Sequence, residues 1–383
     1  MLGLLLQPRL TAHEVRHGPV ILQGVSHPFY VDPSPAFSNG PGIPVIMPPA
    51  PPPPPPPPAA VDVSEVIAGL DEEGDIFWQL VPPLLMTDPT FFGADLSRVL
   101  QLAEIAQGQT STRDNDPAWQ AVIEEPQRPQ DELHAYMPGI APASPWHDPS
   151  HFELAAKLEA NFDAISEEFA ALLRSDRAGK VAFQSVTSMN YDAGWKTLVL
   201  FFNGKEVRGF PYDLCPVTKS ILDTVPVAGR IVGFNRQQPG SGIPRHTDGN
   251  NMWLTLQMGI SLPKLAEGTD AAQIVATDAS RKVRPYIEVG TEARHWEVGK
   301  CMVYDTTYEH ETFNPSPEEE RVVLHVDFWN TVATRVPEAR PAAAAAGALS
   351  DAELSAMLKV YSLREKFLES EGVASVAEQR LGR

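Results

Sequence analysis

Residues 245–263 read RHTDGNNMWLTLQMGISLP, a stretch that combines a candidate metal-binding pair with the start of a sheet. His246 and Asp248 are separated by one residue, and an apolar run follows them almost at once. Side chains two positions apart on a strand point to the same side, so an imidazole nitrogen and a carboxylate oxygen could enter one cavity. The alternative is an ordinary polar turn that contains a histidine, because His-x-Asp alone is a weak motif.

The surrounding sequence has the two-residue period of strands. From Trp195 onward, short runs of β-branched and aromatic residues are separated by Gly, Pro, Asn or Asp. These runs are WKTLVLFFNG, GRIVGFNRQQPG, NMWLTLQMGISL, KCMVYDT and RVVLHVDFW. Several short strands with turns between them predict a sandwich or barrel. We therefore expect a mainly β core with flanking helices.

A second histidine strengthens the metal-site hypothesis. His310, in YDTTYEHETF, lies 64 positions after His246, at the end of another strand-like run. Two histidines and one carboxylate that share one face of an octahedral ion leave positions open, which is the arrangement of non-heme Fe(II) centres that activate oxygen. The pattern therefore favours an iron site over a polar turn.

An arginine on the following strand suggests what binds beside the metal. Arg321 opens RVVLHVDFW, where alternate residues share one strand face. A guanidinium held on a strand can bind a carboxylate through two hydrogen bonds, and it keeps its charge at working pH. The expected co-substrate therefore chelates iron at one end and carries a carboxylate at the other, and 2-oxoglutarate fits that description.

Four segments together resemble the aspartyl/asparaginyl β-hydroxylase family of Fe(II)/2-oxoglutarate oxygenases. They are RIVGFNRQQPGSGIPRHTDGNN, LTLQMGISLP, HWEVGKCMVYDTTYEHE and RVVLHVDFWN. The upstream MPGIAPASPWHDPSHFELAAKLEANFDAISEEF and WKTLVLFF are similar to the first part of that domain, so the resemblance covers residues 136–330, about half of the chain. It implies a double-stranded β-helix, a cupin-like jelly roll in which two sheets form a squashed barrel with iron bound inside one mouth.

The resemblance assigns the metal ligands residue by residue. His246 matches the proximal iron ligand and His310 the distal one. In the best-known members glycine stands at the position of Asp248, and the iron there has only two protein ligands. The aspartate present here either binds iron directly or holds a water or a histidine in place. The predicted metal site is therefore His246, His310 and Asp248.

The resemblance also assigns the co-substrate site. Arg321 matches the residue that binds the distal carboxylate of 2-oxoglutarate, and Asn235 stands where the family has a polar residue that helps with that carboxylate. Thr255 and Gln257 occupy the positions of an arginine and a histidine that contribute to co-substrate binding. We expect all four residues to contact 2-oxoglutarate, although the last two depart from the family pattern.

Three further residues are predicted to line the substrate mouth, namely Arg245, Asn250 and Trp253. For Trp253 the alternative is core packing, which is more common for an aromatic residue on a barrel strand. His325 and Asp327 share a strand face with Arg321, and a buried structural pair explains them as well as a role in the site. His295 is interpreted as structural, and His147 with Asp148 as a proline-bounded turn.

The function that the resemblance implies is hydroxylation by a dioxygenase. The enzyme would use bound Fe(II) and consume O2 and the co-substrate 2-oxoglutarate, with succinate and CO2 as co-products. The acceptor would be an Asp or Asn side chain, a related small molecule or peptide, or a lipid acyl chain. Two other classes stay open: a catalytically silent adaptor protein, and a zinc hydrolase that uses the same histidines but has no use for Arg321.

Composition restricts the partners of this 383-residue chain. Acidic residues outnumber basic ones 49 to 30, and the formal net charge is −19. Such a chain repels phosphate backbones, which excludes nucleic acid as an expected partner. For the same reason the charge argues against a substrate in an anionic membrane.

Cysteine content and hydropathy bear on localisation. Only Cys215 and Cys301 occur, too few for a disulfide framework, so a reducing compartment and buried free thiols are expected. No stretch approaches the roughly 20 apolar residues of a membrane span. The sequence favours a soluble cytoplasmic protein and leaves organelle targeting open.

The chain is expected to divide into four parts. Residues 1–60 are a disordered proline-rich segment, in which Pro51–Pro58 forms a polyproline II helix. That run is either a docking site for an SH3, WW or profilin-type reader or a plain linker. Residues 61–131 form a small helical region of unknown role, and residues 136–335 form the oxygenase-like domain. A helix follows within residues 348–383, opened by a capping box of Ser350 and Glu353.

Overall fold

The computed structural model describes residues 77–78, 81–106, 137–140, 144–175, 183, 194–202, 204–246, 251–265 and 273–370. Several predictions fall outside these residues. They concern the proline-rich segment with Pro51–Pro58, the third candidate metal ligand Asp248 and the candidate mouth residue Asn250. No helix within the described ranges is long and apolar enough to cross a membrane.

The described residues form two antiparallel sheets. The strands are β1 (Trp146–His147), β2 (Trp195–Phe202), β3 (Lys205–Glu206), β4 (Val227–Gln237), β5 (Ser241–His246), β6 (Trp253–Ser261), β7 (Tyr286–Val289), β8 (Glu292–His295), β9 (Cys301–Tyr304), β10 (His310–Asn314) and β11 (Arg321–Trp329). The larger sheet has the order β1-β9-β6-β11-β4-β2-β3, and the smaller one β5-β10-β7-β8.

The order of the strands identifies the architecture. From β4 to β11 the chain passes from one sheet to the other, with β4, β6, β9 and β11 in the larger sheet and β5, β7, β8 and β10 in the smaller one. Every paired neighbour in both sheets is antiparallel. Two such sheets wound from one chain are a double-stranded β-helix, so the fold predicted from the sequence is confirmed.

Strand β11 shows why the sequence folds in this way. Its even-numbered residues Val322, Leu324, Val326 and Phe328 belong to the core beneath the helices. On the opposite face, Val323 packs with Ile287 and Val289 of the smaller sheet. Alternation on a strand therefore sends Arg321, His325 and Asp327 into the barrel interior together with Val323.

The helices lie outside the barrel. They are α1 (Ser97–Ala106), α2 (Glu153–Ala160), α3 (Phe162–Arg174), α4 (Pro216–Leu222), α5 (Arg340–Ala345) and α6 (Asp351–Ser370). Residues 81–86 are also α-helical. Short 3-10 helices occupy Pro89–Phe91, Pro149–His151, Tyr212–Leu214, Ser280–Lys282 and Pro337–Ala339. Helices α2 and α3 cover the larger sheet, where Leu158, Ile165 and Leu172 are completely buried in its core.

The helices before and after the barrel meet at one of its ends. Residues 81–86, α1 and α6 share a hydrophobic cluster with Trp253 and Trp329 of the larger sheet. The predicted capping box is present, because the Ser350 amide donates to Glu353 Oε2 at 2.9 Å and the Glu353 amide donates to Ser350 Oγ at 3.3 Å. Sequence segments on either side of the barrel in the chain thus build one helical layer.

Candidate active site

The two predicted histidine ligands lie side by side in the smaller sheet. His246 ends β5, His310 begins β10, and the two residues are directly paired across these strands. Their ring centroids are 4.2 Å apart. Antiparallel pairing therefore brings together imidazoles that are 64 positions apart in the chain.

Both imidazoles are held in the form that binds metal. His246 Nδ1 lies 2.8 Å from the carbonyl oxygen of Pro244, and His310 Nδ1 lies 3.0 Å from that of Tyr308. A carbonyl oxygen can only accept, so each Nδ1 carries a hydrogen, and in the neutral imidazole each Nε2 then has the lone pair. A backbone carbonyl bonded to one ring nitrogen commonly orients a metal-binding histidine in this way.

The third ligand stays a prediction, because Asp248 lies outside the described residues. Within the described part of the chain, no three His, Cys, Asp or Glu side chains are grouped in a way that could hold a metal ion. A site of two histidines and one carboxylate therefore requires Asp248 or another residue that the structure does not describe.

Arg321 is a completely buried cation at the start of β11. Its guanidinium carbon lies 4.8 Å from the ring centroid of Trp195 and 4.3 Å from that of Trp296. Among the described residues, none of its three side-chain nitrogens has a hydrogen-bond partner. Burial lowers the pKa of Arg321 to about 9, with a small opposing effect of Tyr304. A buried cation without hydrogen-bond acceptors favours an anionic ligand that would accept hydrogen bonds from it.

Two amide side chains on the neighbouring strand β4 also have unused oxygens. Gln237 is directly opposite Arg321, and Asn235 is opposite Val323. Both are buried, and within the described residues neither Asn235 Oδ1 nor Gln237 Oε1 has a hydrogen-bond partner. Asn235 was predicted from the sequence and Gln237 was not, although its place two residues further on the same strand face indicates a shared environment.

Thr255 and Gln257 make hydrogen bonds within the protein. Thr255 Oγ1 donates to Asp327 Oδ1 at 2.5 Å. Gln257 contacts Trp296 Nε1 at 3.0 Å through Oε1 and His325 Nδ1 at 3.0 Å through Nε2. The structure thus places both residues in a network with neighbouring side chains, and their predicted contact with a co-substrate stays a prediction.

Arg245 and Trp253 are placed away from the histidine pair. Arg245 precedes His246 on β5 and so points to the other side of that strand. There it contacts Glu288 at 3.1 Å and Glu309 at 2.8 Å. Trp253 is 3% exposed and makes an edge-to-face contact with Trp329, with the ring centroids 5.5 Å apart. Core packing, the alternative for Trp253, therefore describes its environment in this structure.

Other reactive side chains have structural surroundings. His295 is buried between the Pro285 carbonyl and Ser280 Oγ, and burial lowers its pKa. Asp148 caps the 3-10 helix that follows it by accepting from the Ser150 amide. Cys215 and Cys301 are buried free thiols, and burial raises the pKa of Cys215 to about 12. The sequence-based interpretation of these groups as structural is consistent with each contact.

The region of the chain that contains the site resembles known proteins. The family described as Aspartyl/Asparaginyl beta-hydroxylase matches residues 159–331. An ornithine lipid ester-linked acyl 2-hydroxylase of Rhizobium tropici is 30% identical over 190 residues, which are 48% of this chain and 60% of that protein. The aspartyl/asparaginyl beta-hydroxylase of Homo sapiens is 24% identical over 195 residues, 49% of this chain and 23% of that protein.

Among solved structures, a prolyl-4-hydroxylase of Pseudomonas putida matches with 16% identity and a TM-score of 0.28, over 48% of this chain and 92% of that one. Of the two curated relatives described above, the chain spans less than two thirds of the length in each case. The family match contains the histidine pair, the buried arginine and strands β2 to β11. Residues 159–331 therefore form a domain of the aspartyl/asparaginyl β-hydroxylase family of 2-oxoglutarate/Fe(II) hydroxylases.

Proposed function

We propose that the chain is an Fe(II)- and 2-oxoglutarate-dependent dioxygenase that hydroxylates an Asp- or Asn-type side chain or a related small substrate. The observation that carries the proposal is Arg321, a fully buried guanidinium without a hydrogen-bond partner among the described residues. Burial of an uncompensated charge is costly, so a fold that maintains one fits a function that supplies the missing anion. We place the catalytic unit at residues 136–335.

The residues present fit both iron and 2-oxoglutarate. His246 and His310 supply two convergent imidazoles in the metal-binding tautomer, and Asp248 is the proposed third ligand. Arg321 would bind the distal carboxylate, with Asn235 beside it on β4. When bound, iron and 2-oxoglutarate supply oxygen activation coupled to oxidative decarboxylation, with succinate and CO2 as co-products.

The protein itself contributes binding, orientation and exclusion of water. The guanidinium of Arg321 lies over the rings of Trp195 and Trp296, and these two residues are 5% and 2% exposed. A carboxylate that reaches Arg321 would therefore be bonded in a dry environment, where charge-assisted hydrogen bonds are strong. The carbonyl contacts of His246 and His310 fix the two imidazoles in orientation before any metal arrives.

A lipid acyl chain is the second candidate substrate. The Rhizobium tropici relative that is named as a lipid acyl hydroxylase has the higher identity of the two curated relatives, 30% against 24%. A pocket next to Trp296 is lined by Leu262, Pro263 and Leu265 together with Arg284 and Glu297, so part of its wall is apolar enough to contact an acyl chain. The net charge of −19 then favours an acyl group whose headgroup is not anionic.

A catalytically silent adaptor is the alternative from another class. In that case Pro51–Pro58 would dock a groove of an SH3, WW or profilin-type protein, and the barrel would be a scaffold. The unpartnered Arg321 speaks against it, because a scaffold gains nothing from a buried charge without a ligand. An active enzyme could still use the same proline run to bind a partner.

The proposal is tested by adding Fe(II) and then 2-oxoglutarate to the full chain under anaerobic conditions. We expect a weak visible charge-transfer band that requires both additions, is lost in His246→Ala and needs far more 2-oxoglutarate in Arg321→Met. Arg245→Met is the matched control, because its side chain is paired with two carboxylates on the other side of β5.

Succinate release then separates the substrates. A panel of Asp- and Asn-containing peptides is compared with amide-linked and ester-linked acyl lipids in neutral micelles, and hydroxylation is read by mass spectrometry. Turnover of peptides alone supports the first candidate, and turnover of lipids alone supports the second. Iron bound without any band after addition of 2-oxoglutarate would contradict the dioxygenase and favour the adaptor or the zinc hydrolase.

A further inference from the structure

Four polar side chains form a continuous hydrogen-bonded chain inside the barrel. Gln257 on β6 and His325 on β11 are directly opposite each other, and so are Thr255 and Asp327. The Asp327 carboxylate, which is completely buried, accepts from Thr255 Oγ1 at 2.5 Å and from the Ile231 amide at 3.4 Å. His325 Nε2 lies 3.1 Å from the same carboxylate.

The direction of each bond follows from one group that can only donate. The indole of Trp296 has an N–H and no acceptor, so its contact at 3.0 Å fixes the nearer Gln257 atom as Oε1. The other Gln257 atom is then Nε2, a donor, and His325 Nδ1 at 3.0 Å must accept from it. The remaining hydrogen of the neutral imidazole is on Nε2 and is donated to Asp327.

The chain of bonds ends at Trp296, whose ring contacts the arginine. Trp296 stacks on the Arg321 guanidinium at 4.3 Å, while its N–H is held by Gln257. Trp195 lies 4.8 Å from the guanidinium and donates its own N–H to Thr197 Oγ1 at 3.3 Å. Because the guanidinium has no hydrogen-bond partner within the described residues, packing holds it in place, and these two anchored rings contribute to that packing.

We propose that His325 is a positioning residue for co-substrate binding, which acts through Gln257 and Trp296 to hold Arg321 in the plane that a carboxylate requires. The inference rests on the proposed function, because it assumes that Arg321 binds 2-oxoglutarate. It assigns a role to Gln257 as well: this side chain supports the binding arginine from behind Trp296.

Loss of the imidazole acceptor would loosen the whole arrangement. Without His325 Nδ1, Gln257 Nε2 has no acceptor in this network, and only the bond from the Trp296 N–H still holds the amide in its orientation. If the amide rotates, it presents Nε2 to the Trp296 N–H, and two donors repel each other. Trp296 then loses its anchor, and Arg321 loses a fixed wall on one side.

Three substitutions at one position separate the two bonds of His325. His325→Asn keeps an acceptor near the place of Nδ1 and should keep the bond to Gln257. His325→Gln keeps a donor near the place of Nε2 and should keep only the bond to Asp327. His325→Leu keeps neither. Trp296→Phe is the independent variant, because it retains an aromatic ring and removes the N–H together with part of the indole.

The measurement is the affinity of the full chain for 2-oxoglutarate, by calorimetry in the presence of Mn(II) and without oxygen. Binding by His325→Leu, His325→Gln and Trp296→Phe should be weaker by about 10–100-fold, the range found when the outer hydrogen-bond partner of a metal ligand is removed. His325→Asn should stay within about threefold of the unmodified chain. Thermal unfolding without ligand shows which variants are folded.

The outcomes distinguish this inference from the proposed function. If Arg321→Met loses 2-oxoglutarate binding while folded His325→Leu and Trp296→Phe bind like the unmodified chain, the positioning role is wrong and the proposed function stands. If His325→Asn is as weak as His325→Leu, the bond to Gln257 is not what matters, and the inference is again overturned. If the unmodified chain does not bind 2-oxoglutarate at all, both fail.

Discussion

Replacing Arg321 by methionine should make the ligand-free protein more stable while it strongly weakens binding of 2-oxoglutarate. Burial lowers the pKa of Arg321 to about 9. The difference of about 3.5 from an ordinary arginine corresponds to about 5 kcal/mol, at roughly 1.4 kcal/mol per pH unit. Cation–π contacts with Trp195 and Trp296 offset part of this cost, at about 1–2 kcal/mol each. Methionine keeps an unbranched apolar stem, so we expect a net gain of about 1–3 kcal/mol.

The pH dependence gives the reasoning a second test. The folded state binds the Arg321 proton less tightly than the unfolded chain does, because the pKa is lowered in the fold. Below about pH 9 both states are protonated and the cost of the buried charge is present in full. Above that pH the folded state releases the proton first, and the stability of the unmodified chain rises relative to Arg321→Met. The advantage of the variant should therefore be full at pH 7 and smaller at pH 10.

The assay is urea unfolding of the metal-free full chain at both pH values, with Arg335→Met as the matched control. Arg335 is also buried, and burial lowers its pKa to about 10, but unlike Arg321 it donates to Thr334 Oγ1 at 2.8 Å and Asn330 Oδ1 at 2.6 Å. Its loss leaves buried acceptors without donors, so the control should be destabilised by about 1–3 kcal/mol. A loss of stability in Arg321→Met similar to that of the control would refute the view that Arg321 is uncompensated.

Three further predictions concern other parts of the molecule. His310→Ala should remove the visible absorption of the Co(II)-loaded chain, since one of the two paired imidazoles is lost; undiminished absorption would contradict the metal assignment. Glu353→Gln should lower the unfolding free energy by about 1–3 kcal/mol at pH 7. Burial opposes ionisation of Glu353, but hydrogen bonds, chiefly from Arg98 at 2.7 and 2.6 Å, hold its pKa below the usual value. The stability that the Glu353 carboxylate contributes should therefore disappear on acidification below about pH 4.5, as urea unfolding at several pH values would show. Gly233→Ala should cost about 1–3 kcal/mol in the same assay, because a Cβ there would lie 2.4 Å from the Leu198 carbonyl oxygen; unchanged stability would show that β2 can move away.

Sequence patterns were most informative where a local rule operates. The two-residue period from Trp195 onward predicted the strands, because alternation is a property of each strand by itself. The capping box of Ser350 and Glu353 was also predictable, since both partners belong to the same helix turn. The same alternation rule placed Arg321, His325 and Asp327 on one face of β11.

The sequence was least informative about which residues of neighbouring strands lie opposite one another. Thr255 and Gln257 were expected to contact the co-substrate, because family members use those positions in that way. In the structure they are opposite Asp327 and His325, and they make hydrogen bonds with those side chains or with Trp296. Such pairs depend on which strands become neighbours, and a single sequence does not contain that information.

By itself, the sequence determined the strands, the caps and the residue types able to hold iron and a carboxylate, because these depend on local period and on the chemistry of single side chains. Only the tertiary structure brought His246 to within 4.2 Å of His310, ring centre to ring centre. Only the tertiary structure enclosed Arg321 between Trp195 and Trp296. These contacts arise from pairing between distant strands, where the burial of whole faces decides which residues meet.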